Sequence, residues 1–424
     1  MKRRILAILL TLAMAASMAL TVTSCGKDTS LTVYAAGDFI KQDLINAFSE
    51  ETGITVNYIT GTRTPPKSEQ PDGDTSAVSP DILESEAQNS VDILSEMRAW
   101  KQADHSAKEK DPEQGAVCDY DVILTDFDTA SQLRDEECLR ELTAEAIPNM
   151  KVIKKGWLGL NGETEHHYAL PVLWGTACLL WNTKMLDYQV TSWRSLWRKS
   201  NKGTIVMPDN PRDCTGPVMM CRGFPVNSTN EKEIRRAYKS LRKQIPLVAG
   251  YSGGATYTMM ENNAAAITVA YSGSALSMMA NNPNLAYIIP KEGTWRICYT
   301  YSISAGTEWP TEAEKFVNYM CSASNLAKNA VYSKYSTTSV EAFKKLDKSW
   351  QKNPIAYPNQ KVRQESRLIQ GLDADSEALH AQLYQELMEA YNAASKQKNT
   401  DSKKAAPDQS SAAASADTSA EQSS

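Results

Sequence analysis

The stretch LTVYAAGDFIKQDLINAFSEETGITVNYIT constrains the architecture more than any other part of the chain. Leu31 to Ala35 is apolar enough for a buried strand. Ile40, Leu44, Ala47 and Phe48 then recur on one helical face, with Asp38 placed to cap that helix and Gly53 to stop it. Ile54 to Ile59 begins the next strand. A strand, a helix and a strand of these lengths bring the chain back parallel to itself, which predicts an α/β sheet.

The alternation continues beyond Tyr120. DVIL, ALPVLWGTACLLW, GTIVM, AAITVAY, LAYIIP and YSISA are short apolar runs, and helical patterns fall between and after them over Trp193 to Lys199, Glu231 to Gln244, Glu312 to Tyr332 and Asp375 to Ala394. A chain of 424 residues exceeds what one hydrophobic core usually serves, so two lobes are expected. Polar runs near 61–91 and 104–115 flank a helix around Asp92 to Lys101 and read as surface insertions or mobile loops. Residues 396–424 hold almost no apolar side chain and predict a disordered tail.

Basic and acidic residues number 45 and 50, a net charge of -5, with no basic stripe of the kind nucleic acid requires. The amino end is MKRR, an apolar run from Ile5 to Leu20, and TVTSC closing on Cys25. This predicts a lipoprotein signal over residues 1–25, with Cys25 carrying the lipid and the mature body outside the cytoplasm. An ordinary membrane anchor is the alternative, but a span needs roughly 20 apolar residues. The seven other cysteines are widely spaced without a C-x-x-C, and the four histidines have no ligand spacing. No disulfide, metal site or cofactor is indicated.

In CDYDVILTDFDTA, Asp126 and Asp128 immediately follow an apolar strand. Open α/β sheets bind ligands beyond the carboxyl ends of their strands, where carboxylates would pair with a cation. The same acids suit a helix start, with Asp128 at the N-cap of DTASQL, and both readings stand. In TWRICYTYS the strand period puts Trp295, Ile297, Tyr299 and Tyr301 on one face and Arg296, Cys298 and Thr300 on the other. Ring faces beside acids suit an organic cation, although tyrosines are also ordinary core residues. Trp174 serves as a cleft wall or as hinge packing, and Trp193 with Trp197 as core.

Ordered blocks along Leu31 to Tyr391 resemble the extracytoplasmic solute-binding proteins of ABC importers, most closely the spermidine/putrescine-binding branch. They are the opening strand and helix, YDVILTDFDTASQLRDEECLREL, YALPVLWGTACLLWNTKML, VTSWRSLWRKSNKGTIVMPDNPRD, KEIRRAYKSLRKQIPLV, AYSGSA, PKEGTWRICYTYSIS and KYSTTS. The resemblance implies a two-lobe α/β fold of the type II periplasmic-binding-protein kind, each lobe a mostly parallel sheet flanked by helices, joined by a multi-crossing hinge. Lobe one would comprise 26–172 and 298–345, and lobe two 173–297 and 346–395. It further implies a non-enzymatic, monomeric, lipid-anchored protein that closes on a small cation, polyamine by resemblance, and presents it to a membrane permease.

The resemblance also implies ligand contacts at Asp126 and Asp128, where the family uses a hydroxyl and an aromatic ring. Tyr335 and Gln370 match family residues outright, and Tyr271 replaces a cage tryptophan. Asp38 lies near the acid that follows another cage tryptophan, at whose place Ala36 stands. Asn210 replaces a carboxylate, Asp213 keeps one, and Ile297 and Tyr299 stand for a tryptophan and an aspartate. Alternatives keep the fold with ferric iron or another metal, a thiamine-like cation or an amino acid as cargo. Others are a surface adhesion lipoprotein, or a secreted glycoside hydrolase built on Asp126 and Asp128, whose carboxylates would have to stand about 5 Å or more apart across the scissile bond.

Overall fold

The structure is a computed structural model describing residues 29–61, 92–111, 113, 115–160 and 166–405, with backbone alone over 398–405. Cys25, the insertion over 62–91 and the tail beyond 405 lie outside the described residues. Eleven strands occur among the described residues. They are β1 (Ser30–Ala35), β2 (Thr55–Thr60), β3 (Val122–Asp126), β4 (Leu170–Asn182), β5 (Ile205–Met207), β6 (Val248–Tyr251), β7 (Ile267–Tyr271), β8 (Leu285–Ile288), β9 (Trp295–Ile303), β10 (Ser336–Thr337) and β11 (Arg367–Leu368). Their main order is β2-β1-β3-β9-β4-β7-β5-β6. β1 pairs in parallel with β2 and β3, and β5 in parallel with β6 and β7, while β9 and β4 run antiparallel to their neighbours on the main path between the two halves.

Two large cores explain the two lobes. One gathers Leu31, Val33, Leu44, Phe48, Val122, Leu124, Phe316 and Met320; the other gathers Leu179, Trp193, Leu196, Ile205, Met207, Leu241 and Leu387. β4 sends Leu170, Val172 and Leu173 into the first core and Ala177 and Leu179 into the second. β9 does the same with Tyr299, Tyr301 and Ile303 against Trp295. These shared strands are the crossing segments of a two-lobe fold. The chain thus has the α/β architecture expected, with antiparallel crossing strands added between the parallel halves.

Local differences have physical causes. The first helix runs Gln42–Thr52 and ends at Gly53 in the left-handed region (φ 74), but Lys41, not Asp38, stands at its N-cap. The helix expected to stop near Lys101 runs Ile93–Lys110, so the first part of the 104–115 run is ordered helix and not a loop. Asp104 is buried there, accepting from the Ala116 amide at 3.0 Å and from Lys108 at 2.8 Å, an attachment that polarity alone conceals. Glu312 to Tyr332 forms two helices, Pro310–Met320 and Ala323–Ser333, because Ser322 starts the second by accepting the Asn325 amide at 3.3 Å. Trp193–Trp197 is a 3-10 turn. The last helix, Ala374–Ala405, continues past residue 396, where a disordered tail is expected, because an established helix adds residues at little further cost. Six of the seven described cysteines are buried and all seven are unpaired.

Candidate functional site

β3 and β7 end at corresponding stations of the two halves. Asp126 is the last residue of β3 and the N-cap of the helix Phe127–Asp135; Tyr271 is the last residue of β7 and the N-cap of the helix Ser272–Asn281. The Asp126 carboxylate accepts the Thr129 amide at 3.0 Å and its hydroxyl at 2.8 Å. The cap is therefore Asp126, not Asp128, and Asp126 stays half-exposed. Asp213 lies in the first turn of the helix Pro211–Arg222, whose N-cap Asn210 accepts the amides of Arg212 (2.9 Å) and Asp213 (3.1 Å). Carboxylates in first helical turns face the positive end of the helix dipole, which favours their ionised form.

Tyr271 joins these stations. Its hydroxyl donates to Asp213 and accepts from Trp295 Nε1 at 3.1 Å. Arg212, 4% exposed, ties the halves together more directly. Its Nη1 donates to Asp128 (3.2 Å), to Glu377 (3.3 Å) and to the Gln370 carbonyl (3.2 Å), and its Nη2 to Asn227 (2.8 Å). Gln370 enters through its backbone, its amide donating to Asn227 at 3.3 Å. One guanidinium thus pairs with Asp128 and Glu377 and acts on Asp213, with Asp126 near both aspartates. Burial pushes the Asp128 carboxyl up to about 8, opposed by Arg212 and reinforced by Asp126, Glu377 and Asp213. Burial likewise takes Asp213 up to about 6, against the hydrogen bond from Tyr271 and with the charge of Asp126 adding to the rise. The excess of acid over base leaves this pole receptive to a cation.

A ring cluster adjoins it. In the sheet register Asp126 faces Tyr299, and Tyr299 packs edge-to-face on Tyr335 (5.1 Å between centroids, 84°) and tilted on Phe39 (4.3 Å, 47°). The Tyr335 hydroxyl meets Ser274 at 3.0 Å and Tyr299 at 3.5 Å. Gly273 lets that ring approach, because a Cβ there would lie 2.2 Å from it. Burial raises the Tyr299 and Tyr271 phenols far above the ordinary range, so both stay protonated and act as donors.

The structure therefore brings together Asp126, Asp128, Asp213, Tyr271, Tyr299 and Tyr335, with Gln370 at their border through Arg212. Asn210 is exposed and acts as a cap. Asp38 is exposed and accepts the Tyr332 hydroxyl at 2.5 Å. Trp174 is buried against Trp157 and Tyr357 and donates to the Thr337 carbonyl at 3.1 Å, which is hinge packing. Phe39, Arg212, Ser274, Trp295 and Glu377 join this cluster through contacts that their local sequence does not signal. Arg212 alone is marked locally, as a cation between Asn210 and Asp213 at a helix start, though its partners are not.

No helix among the described residues is long and apolar enough to cross a membrane, and no group of three or more His, Cys, Asp or Glu there is placed to hold a metal ion. Two α/β lobes joined by crossing strands, with acidic and phenolic side chains gathered at strand ends between them, match the design of a protein that clasps a solute. The profile of the bacterial extracellular solute-binding proteins matches residues 43–358, about three quarters of the sequence, and the chain belongs to that family. Spermidine/putrescine-binding periplasmic protein 1 of Haemophilus influenzae is 26% identical over 278 residues, covering 65% of this chain and 77% of the relative. The spermidine/putrescine-binding periplasmic protein of Escherichia coli is 21% identical over 376 residues, covering 88% and 96%. A Listeria monocytogenes structure assigned to spermidine/putrescine ABC transport superposes with a TM-score of 0.69 at 25% identity, covering 85% of this chain and 99% of the other. These relatives bind solutes for transport and are not enzymes, and the hydrolase alternative falls away.

Proposed function

We propose that this chain is the lipid-anchored solute-binding component of an ABC importer, that it captures a small aliphatic amine cation between its lobes, and that it delivers the amine to a membrane permease. The observation that supports this most is the meeting of Asp126, Asp128 and Asp213 with Tyr271, Tyr299 and Tyr335 where both lobes contribute. The amine class comes from the relatives named for spermidine and putrescine. Lobe one is proposed to comprise 26–172 and 298–345 and lobe two 173–297 and 346–395. Within the site, Asp126 and Asp213 face the ammonium, Tyr271 orients Asp213, and Asp128 holds Arg212. A ligand acts here only by its greater affinity for the closed form, and the closed form is what the permease meets.

The test is a thermal-shift and calorimetric series on the protein lacking residues 1–25, using polyamines, amino acids, thiamine and metal salts. An amine of this class should raise the melting temperature by mass action. In Asp126→Asn the charge goes but the cap stays, because Asn caps helices as well as Asp. Affinity should fall by roughly 1–3 kcal/mol while ligand-free stability stays nearly constant. Unchanged binding in that variant removes Asp126 from the site.

A further inference from the structure

On the basis of that amine-binding function, we propose that Arg212 and Asp128 form an inter-lobe latch. Their bond is made as the lobes close and strengthens when an ammonium seats on Asp126 and Asp213, so the pair governs ligand release without touching the ligand. The geometry is one-sided. Four of the five side-chain acceptors of Arg212 lie in the second lobe, next to its core residues Val226, Ile369 and Leu383. They are the Val226 carbonyl (3.4 Å), Asn227 (2.8 Å), the Gln370 carbonyl (3.2 Å) and Glu377 (3.3 Å). Two of these are held in turn, Asn227 by donating to the Leu368 carbonyl at 2.8 Å and Glu377 by accepting the Leu372 amide at 3.0 Å. The fifth acceptor differs. Asp128 lies on the helix Phe127–Asp135 of the first lobe, 84 residues earlier, and among the described residues Arg212 is the only hydrogen-bond partner of its carboxyl group. Separating the lobes breaks this one bond and leaves the other four. With Asp128 7% exposed and Arg212 4%, that bond is shielded from water, unlike a surface pair.

The ligand reaches the latch through charge. Burial first, and then the charges of Asp126, Glu377 and Asp213, hold the Asp128 carboxyl up to about 8 against the pull of Arg212. The other titratable groups on the elements around it carry no opposing charge. Strand β9, packed on the same helix, brings Cys298 and Tyr299, both kept neutral by burial. On the last helix His380 is kept neutral by burial and by Arg212. The helix Ile93–Lys110 meets this helix where Arg98 pairs with Glu136 at 2.6 Å. An ammonium on Asp126 and Asp213 offsets two of the charges that oppose ionisation of Asp128. Its proton then leaves to solvent, and Arg212 donates to a full carboxylate, the stronger acceptor.

The experiment measures spermidine and 1,4-diaminobutane on the protein lacking residues 1–25, by calorimetry in buffers of different ionisation enthalpy and by stopped-flow release. At about pH 7.5 Asp213 is already ionised, so binding to the unaltered protein should release roughly half a proton or more from Asp128. Asp128→Asn still accepts from Arg212 but has no proton to lose, and should abolish that release. Dissociation should quicken about tenfold in Asp128→Asn with association nearly unchanged. Arg212→Lys keeps the charge and loses the fork, and should quicken dissociation likewise. The proton count on the unaltered protein stands even where a variant folds poorly, and its absence overturns the latch. Proton release that persists in Asp128→Asn, or dissociation as slow as in the parent in both variants, also overturns it and leaves amine binding in place. Affinity lost through slower association overturns it too, since that marks residues met on entry. No binding of either amine to the unaltered protein overturns the latch together with the function on which it rests.

Discussion

Asp126 and Tyr271 occupy the same station in the two lobes, the final residue of a strand and the cap of the next helix, yet they do opposite things. Asp126 supplies its charge directly, half-exposed and held by Thr129. Tyr271 supplies a phenol and borrows its charge from Asp213, one helix away. The first lobe therefore carries a carboxylate that water partly solvates, and the second a carboxylate whose ionisation burial resists. Charge in one lobe is a property of a residue, and in the other of a contact.

The strongest way to break the comparison is to remove what joins the two sides. Arg212→Ala strands Glu377 without its cation and leaves Asp128, whose carboxyl burial keeps protonated up to about 8, without its donor, and losing one partner of a buried ionic group costs about 3–5 kcal/mol. Urea unfolding should register that loss, and a change below about 1 kcal/mol would show the bridge to be dispensable. Gly273→Ala places a Cβ within 2.2 Å of the Tyr335 ring and should cost about 1–3 kcal/mol, with ligand affinity falling alongside stability.

A smaller effect sharpens the contrast. Tyr271→Phe removes the donor to Asp213 and the acceptor for Trp295, so stability should fall by about 1 kcal/mol. That hydrogen bond lowers the Asp213 pKa, and without it the carboxyl should titrate above about 6. Amine binding favours ionised acids, so affinity should rise with pH through about 6 in the parent and at higher pH in the variant. Calorimetry in buffers of different ionisation enthalpy reads the released proton. An affinity flat from pH 5 to 8 would separate Asp213 from the ligand.

The smallest expected change concerns the ligand-free protein. Asp128, pushed up to about 8, stabilises the fold below the ordinary carboxylate range and loses that contribution as pH rises through about 8. His380, pushed down to about 4 by burial, contributes fully above its ordinary 6.5, so it adds nothing further on the alkaline side. Stability should therefore decline from pH 6.5 to 8, as measured by thermal melts.

Local pattern determined a good deal by itself. The apolar runs carried the strands, because a buried strand must be apolar whatever surrounds it, and the period of Leu44 and Phe48 carried the first helix. The strand alternation put Tyr299 and Trp295 on a shared face, and the apolar run ending at Asp126 fixed where β3 stops. Tertiary structure alone decided which acid caps and which pairs, for Asp126 and Asp128 are two residues apart and chemically alike. The choice came from Arg212, 84 residues further on, and from Thr129 beside the strand end. Phe39 was invisible for the same reason: its neighbours, Tyr299 and Tyr335, come from distant chain. A side chain's type and spacing limit what it can bond, but its partner is set by packing that joins residues hundreds of positions apart, and charge and burial follow from that partner.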